Sequence, residues 1–219
     1  MAWPLLLILS FVCGSVPFGL LIARAKGIDI RTHGSGNIGA TNVGRVLGRR
    51  WGFLCFLLDA IKGATPVLIA GAARGILGVP SATLDAGELW LWLLCGVLAL
   101  LGHVFSPWVR FKGGKGVATG FGAFVAMWTP LTLPTLIALV VWAIGVKVTK
   151  MVSLASMIAA FSIPVAILAR CGLAAEPAVA TRAEIPTLVI SGLIAILIVV
   201  KHRANIGRIL RGEELKVKA

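Results

Sequence analysis

Apolar stretches long enough to cross a lipid bilayer recur along this chain, and they decide its class of fold. A helix rises 1.5 Å per residue, so crossing the hydrocarbon core takes roughly 20 apolar residues. Such stretches lie at 3–23, 52–73, 88–106, 116–130, 131–147, 151–170 and 186–201. Only Trp128-Thr129-Pro130 separates the fourth from the fifth, which reads as a tight hairpin with short arms. Of the 219 residues, 58% are hydrophobic and 13% charged. A soluble domain is about half apolar and a quarter charged, so too little polar surface remains here to cover a water-exposed fold. That excludes an ordinary cytosolic enzyme, a disordered tail and a nucleic-acid module. The expectation is an all-α integral membrane protein, a single transmembrane domain over 1–219 with seven helices.

The formal charge of +13 looks like that of a polyanion binder until it is mapped along the chain. Basic residues gather in loop one (Arg24, Lys26, Arg31, Arg45, Arg49, Arg50) and loop three (Arg110, Lys112, Lys115). They gather again in loop five (Lys147, Lys150) and the tail (Lys201, Arg203, Arg208, Arg211, Lys216, Lys218). The alternate loops carry only Arg74, Arg170 and Arg182. By the positive-inside rule the N-terminus lies outside and the C-terminus is cytoplasmic. The excess is topology, and no nucleic-acid partner follows from it. The first stretch lacks a positive n-region and is followed by basic residues, so it reads as a retained span rather than a cleaved signal. Cys13, Cys55, Cys95 and Cys171 each sit alone in apolar runs. They read as small core residues, not a disulfide framework, metal site or redox centre.

Polar chemistry collects in the basic loops. Loop one contains SGNIGATNVGR, residues 35–45. Gly34, Gly36 and Gly39 match GxGxxG in spacing, but no strand precedes them and no βαβ unit follows, so a dinucleotide site is unsupported. Glycines still let amides turn towards an anion, and Ser35, Asn37, Thr41 and Asn42 add short donors. Arg45 supplies a planar, permanently charged fork suited to phosphate. Loop three carries FKGGKG, in which Lys112 and Lys115 flank Gly113-Gly114. Val109 and Gly116 break the Walker A pattern, but bare amides at a helix N-terminus beside a lysine make the same kind of cradle. Gly116 and Gly120 form a GxxxG pair suited to close helix packing.

The last span exits as KHRANIGRILRGEE, where His202, Asn205 and Arg208 recur at i, i+3 on one face. Ser153 and Ser156 share a face at the start of the sixth span, as ligands or as ordinary intramembrane hydroxyls. Asp59 is placed about 12 Å deep in the second span, with Lys62 at i+3 on the same face. They fit either a functional intramembrane charge or a structural ion pair beneath the site. Such a basic, acid-poor set suits phosphorylated ligands rather than a metal. It contains no HExxH, carboxylate dyad or Cys/His cluster. No HxxxxD box exists either, since Ile38, Trp108 and Gly207 stand five residues after the three histidines.

These three blocks, in order with GSVPFG at 14–19, DAIKG at 59–63 and SLAS at 153–156, closely resemble the bacterial acylphosphate:glycerol-3-phosphate acyltransferases (the PlsY family). The resemblance covers essentially the whole chain. It implies a seven-span, multi-pass enzyme of the bacterial inner membrane with its active site at the cytoplasmic face. The implied reaction passes a fatty acyl group from acyl phosphate to glycerol 3-phosphate, giving lysophosphatidic acid and phosphate for phospholipid synthesis. No cofactor is implied. The implied partners are the two substrates, the bilayer and the enzyme that supplies acyl phosphate.

Carried over by motif, Ser35, Arg45, Lys115, His202 and Asn205 would be catalytic. Gly36, Asn37, Thr41, Asn42, Arg49, Lys112, Gly113, Gly114 and Ser153 would bind substrate. Asp59, Lys62 and either Glu213 or Glu214 would be structural. Which phosphate occupies which loop stays open. The rival reading, a transporter of a phosphorylated metabolite, would call for an internal repeat and polar residues along a pathway. The outer halves of most spans are plain Leu, Val, Ile and Ala.

Overall fold

The computed structural model describes residues 1–217; Lys218, counted above with the basic tail, lies outside the described residues. Among these, regular structure is entirely helical, without strands. The chain divides into two compact units, one comprising 1–77 and 94–127 and the other 78–93 with 128 onwards.

In the first unit, the expected span at 3–23 is broken into α1 (Trp3–Ser15) and α2 (Phe18–Arg24). Pro17 has no N–H to give, so it interrupts the helical ladder. Carbonyls freed at such a break must find donors, because an unsatisfied one in hydrocarbon costs several kcal/mol. Here the Phe18 amide donates to Val16 O at 3.1 Å and side chains supply the rest. Ser106 Oγ donates to Ser15 O at 2.6 Å, and Lys62 Nζ donates to Val16 O at 2.6 Å. Trp108 Nε1 adds a bond to Ser15 Oγ at 2.8 Å.

The unit continues with α3 (Ala40–Leu47), the long α4 (Arg49–Arg74), α5 (Ala86–Val104, from Leu94 onwards) and α6 (Val117–Val125). Helices approach closely wherever a side chain is missing. A Cβ on Gly63 would overlap the Thr119 carbonyl, and one on Gly122 the Ala60 carbonyl, which sets the α4–α6 contact. This is the small-residue packing expected where lipid, not water, surrounds the helices.

In the second unit, α7 (Thr132–Thr149) and α8 (Val152–Gly172) form an antiparallel pair tied by Trp142 Nε1 donating to Ser156 Oγ. They are followed by α9 (Pro177–Ala183), α10 (Ile185–Lys201) and α11 (Arg203–Leu210). Arg170 donates to Glu184 Oε1 at 2.6 Å and to Pro130 O at 3.2 Å, and Gly78 N donates to Trp128 O at 2.8 Å.

A further span boundary differs from expectation. The stretch 116–130 forms only a nine-residue α6, about 14 Å long, which cannot cross the hydrocarbon core alone. Its remainder is a turn leading through Pro130 into α7. The last expected stretch, 186–201, matches α10, which α9 precedes with a bend of 61°. Among the described residues, five helical segments are long and apolar enough to span a membrane, or six counting that bent pair.

Lys62 is 3% exposed and carries both the freed carbonyl of Val16 and the carboxylate of Asp59. Removing one partner of a buried ion pair costs about 3–5 kcal/mol. Lys62→Met should therefore sharply lower the melting temperature in detergent, and Asp59→Asn added to it should recover part of the loss. Equal melting of wild type and Lys62→Met would show that the break does not depend on this contact.

Candidate active site

Loop one of the first unit is a folded piece of structure with its own apolar floor. Ile30, Ile38 and Val43 bury against Leu20 and Ala23 of α2, Cys55 of α4 and Val109 of loop three. Each fully buried Ile or Val contributes about 1.5–3 kcal/mol. Above this floor Asn42, 1% exposed, organises the backbone. Its Oδ1 accepts from Ser35 N at 2.8 Å, while Nδ2 donates to Asn37 O at 2.9 Å and His33 O at 3.0 Å. Asn42 therefore shapes the loop and does not present its amide to a ligand, as the sequence had suggested. Asn37 Oδ1 accepts from Gly39 N at 2.8 Å, fixing the turn into α3. Gly36 holds φ at +70°, in the left-handed region that favours glycine.

Ser35, Thr41 and Arg45 are exposed on this scaffold, and Arg49 is exposed at the start of α4. The Asp29–Arg31 pair (2.6 Å) closes the loop's first turn. The Arg31 side chain beside it, with the Arg31 backbone amide, holds the Asp29 carboxyl well below the usual carboxylate range. At the loop's opening Lys26 stacks over the Trp51 ring at 4.3 Å, a cation–π contact.

Loop three is anchored as firmly, and its glycine amides are already used. Gly113 N donates to Val104 O at 3.1 Å and Gly114 N to His103 O at 3.3 Å, closing the end of α5. The expectation that these two amides form an open cradle is therefore corrected. The glycines are needed for close approach, since a Cβ on Gly113 would overlap the His103 carbonyl and one on Gly114 the His103 ring. Half-buried Lys115 and exposed Lys112 stand beside the first turn of α6, whose leading N–H groups have no partner within the helix. Gly116, at φ +82°, makes the sharp change of direction into it. Beneath lies a buried cluster: Asp59 Oδ1 is 2.7 Å from Lys62 Nζ and 3.7 Å from His103 Nδ1. The Lys62 contact is an ion pair by distance, though not aligned as a hydrogen bond.

The second unit holds the other expected residues around one carboxylate. Glu214 Oε1 accepts from Ser153 Oγ (2.6 Å) and Asn205 Nδ2 (2.6 Å), and Oε2 accepts from Arg208 Nε (2.8 Å). A backbone bond from Val217 N to Lys150 O fastens the tail beside it. Of the two neighbouring glutamates, Glu214 takes these bonds, while Glu213 pairs with exposed Arg211. Ser153 thus spends its hydroxyl on Glu214. Because Asn205 gives an N–H to the carboxylate, its carbonyl oxygen is the end that can accept. His202, 2% exposed, donates from Nδ1 to Ile198 O at 2.7 Å, which puts the lone pair of the neutral ring on Nε2. Sequence reasoning missed the part played by His103 and the anchoring role of Arg208. The available signal was a histidine ending an apolar span eight residues before FKGGKG.

Comparison with known proteins now decides the family. Residues 4–212 match the family model described as "Glycerol-3-phosphate acyltransferase". The chain belongs to the glycerol-3-phosphate acyltransferase family. It is 43% identical over 211 residues to the glycerol-3-phosphate acyltransferase of Geotalea daltonii, covering 95% of this chain and 94% of that one. It is 46% identical over 208 residues to that of Desulforudis audaxviator, covering 94% and 91%. Among solved structures it is similar to PlsY, an integral membrane glycerol 3-phosphate acyltransferase, in its glycerol 3-phosphate form. There the TM-score is 0.82 and the identity 35%, over 99% of this chain and 96% of that one. The lysophosphatidic acid form of PlsY gives a TM-score of 0.80 at 34% identity, covering 99% and 95%.

The Glu214 clamp makes an acid-sensitive element in this family member. Burial pushes its carboxyl up, but hydrogen bonds from Ser153, Asn205 and Arg208 outweigh that and hold it below the ordinary 4.5. A carboxyl lowered by folding contributes stability that is present above 4.5 and lost as pH falls through the lowered value. Wild-type protein in detergent should therefore lose melting temperature on acidification below about pH 4.5, and Glu214→Gln should lose less. Each charge-assisted hydrogen bond is worth roughly 1.5–3 kcal/mol, so Glu214→Ala should also cut turnover at least about tenfold. Glu213→Ala should match wild type in both assays; equal damage from the two would remove the distinction.

Proposed function

We infer that this protein is a multi-pass glycerol-3-phosphate acyltransferase that uses acyl phosphate as donor and works at the cytoplasmic face of a bacterial inner membrane. The observation that carries the reading is full-length agreement in sequence and fold with PlsY, solved in glycerol 3-phosphate and lysophosphatidic acid forms. In the reaction the free hydroxyl oxygen of glycerol 3-phosphate attacks the acyl carbonyl carbon. The bond from that carbon to the phosphate oxygen breaks, and inorganic phosphate leaves. The hydroxyl proton passes to a phosphate oxygen of the donor, so the leaving group takes up the proton itself. The products are lysophosphatidic acid and phosphate.

Two phosphate-bearing molecules repel each other, and the basic residues offset that repulsion. Arg45 and Lys115 are assigned to the phosphates, with Ser35, Thr41, Arg49 and Lys112 as further donors. His202 Nε2 and the Asn205 carbonyl are assigned to hydrogen bonds with the glycerol backbone, since both can accept from hydroxyls. Holding the hydroxyl against the carbonyl in near-attack geometry, with fixed charges around it, accounts for catalysis without a metal or cofactor.

We propose seven crossings with the N-terminus outside. This assigns 24–50, 110–115, 147–150 and 201–217 each to the positive side. The short α6 then serves as one arm of a hairpin completed by the turn before α7. In support, that turn bonds through Trp128 O to Gly78 N and through Pro130 O to Arg170. Gly78 follows α4, and Arg170 ends α8; both lie at the ends away from the basic loops. Single cysteines at Thr83 and Lys216 in a cysteine-free background should label from opposite faces of intact membranes. Labelling from one face would overturn the odd count.

The donor is tested by offering the purified protein glycerol 3-phosphate with acyl phosphate, acyl-CoA or acyl-carrier protein separately. Lysophosphatidic acid should form from acyl phosphate alone; its robust formation from acyl-CoA would sink the donor assignment. Ser35→Ala, Arg45→Ala and Lys115→Met should each lose at least about tenfold in turnover, the value of one charge-assisted hydrogen bond. Near-wild-type rates in all three would mean that these loops are only turns.

A further inference from the structure

We propose that His103 is a positioning residue for the FKGGKG loop: its imidazole, fixed from below by Asp59, is the wedge that sets where Lys115 stands. The proposal rests on the reading of that loop as part of the substrate site. His103 ends α5 and is 4% exposed. Its Nδ1 faces Asp59 Oδ1 at 3.7 Å, and Asp59 is held in turn by Lys62 at 2.7 Å. On the other side of the ring, Nε2, Cε1 and Cδ2 face Gly114 so closely that no Cβ fits there. The His103 and Val104 carbonyls meanwhile receive the amides of Gly114 and Gly113. One residue therefore fixes the loop twice, by its carbonyl through a hydrogen bond and by its ring through contact. Lys115 follows immediately in the chain.

Two explanations of the glycine at 114 now separate. If glycine is there to bare an amide, the imidazole beneath it is irrelevant to the effect of a methyl group. If it is there to admit the imidazole, Gly114→Ala should do harm through His103, and that harm should shrink once the ring is gone. The Asp59–Lys62 pair also acquires a role beyond closing the break in the first span, since it holds the ring against the loop.

The test is a double-mutant cycle on the full-length protein in detergent, with His103→Ala, Gly114→Ala and both together. Displacing a reacting group's support by about an ångström costs up to about 100-fold, so each single variant should lose about 10- to 100-fold in kcat/KM for glycerol 3-phosphate. The double variant should retain at least the activity of Gly114→Ala alone, instead of the product of the two losses. Asp59→Asn should reproduce the kinetic pattern of His103→Ala. If His103→Ala does not fold, His103→Asn, which keeps a donor towards Asp59, replaces it in the cycle.

Hydrogen–deuterium exchange over 111–117 supplies a readout independent of turnover. The Gly113 and Gly114 amides should exchange slowly in wild type and faster in His103→Ala, with α1 and α4 unchanged. Multiplicative losses in the cycle, or unchanged exchange in His103→Ala, would overturn the wedge. Inactive wild type with the exchange coupling intact would instead overturn the functional reading while leaving the wedge standing.

Discussion

A carbonyl group inside a membrane has no water to turn to, and the contact between Lys62 and Val16 answers that constraint where α1 breaks. Proline at 17 makes the break unavoidable. A lysine placed 46 residues after Val16 makes it tolerable, and its own charge is balanced by Asp59 one helical turn away. What looks like an isolated intramembrane ion pair is therefore part of the backbone's hydrogen-bond accounting. GSVPFG and DAIKG are two halves of one solution, which explains why neither makes sense alone.

The same reasoning extends to the polar end of the first unit. Ser106 and Trp108 close the break from the loop-three side, and the loop itself is closed by the end of α5. Gly113 and Gly114 of that loop each have a fixed backbone partner. Ser35, Arg45 and Lys112 are accessible on rigid ground, the arrangement expected of groups that act on a ligand.

The sequence made the helical membrane class legible because apolar runs of the necessary length have few other uses. It also exposed the motif residues, since glycines, arginines and asparagines are conspicuous in a chain with so few charges. Helix lengths near 116–130 were not legible: apolar composition continues through Trp128 while the helix stops at Val125. The function of Asn42 was hidden for a related reason. A donor in a glycine-rich loop looks the same whether it faces a ligand or the loop's own carbonyls, and only geometry separates them. Glu213 and Glu214 are chemically identical neighbours, and the register of the turn after α11 alone decides which one reaches Ser153 and Asn205. His103 escaped notice because its partners lie 44 residues before it and 11 after it.

The apolar floor beneath loop one bears on how binding energy is used. A glycine-rich segment left mobile in the unliganded protein would have to be ordered on every encounter with substrate, at about 1–2 kcal/mol for each residue fixed. Ile30, Ile38 and Val43 in that floor, with the Asn42 amide above them, order it beforehand. The entropy of that segment is surrendered once, when the chain folds. Contacts made later to a phosphate can then be felt in full as affinity or as rate, instead of being consumed in assembling the loop that makes them.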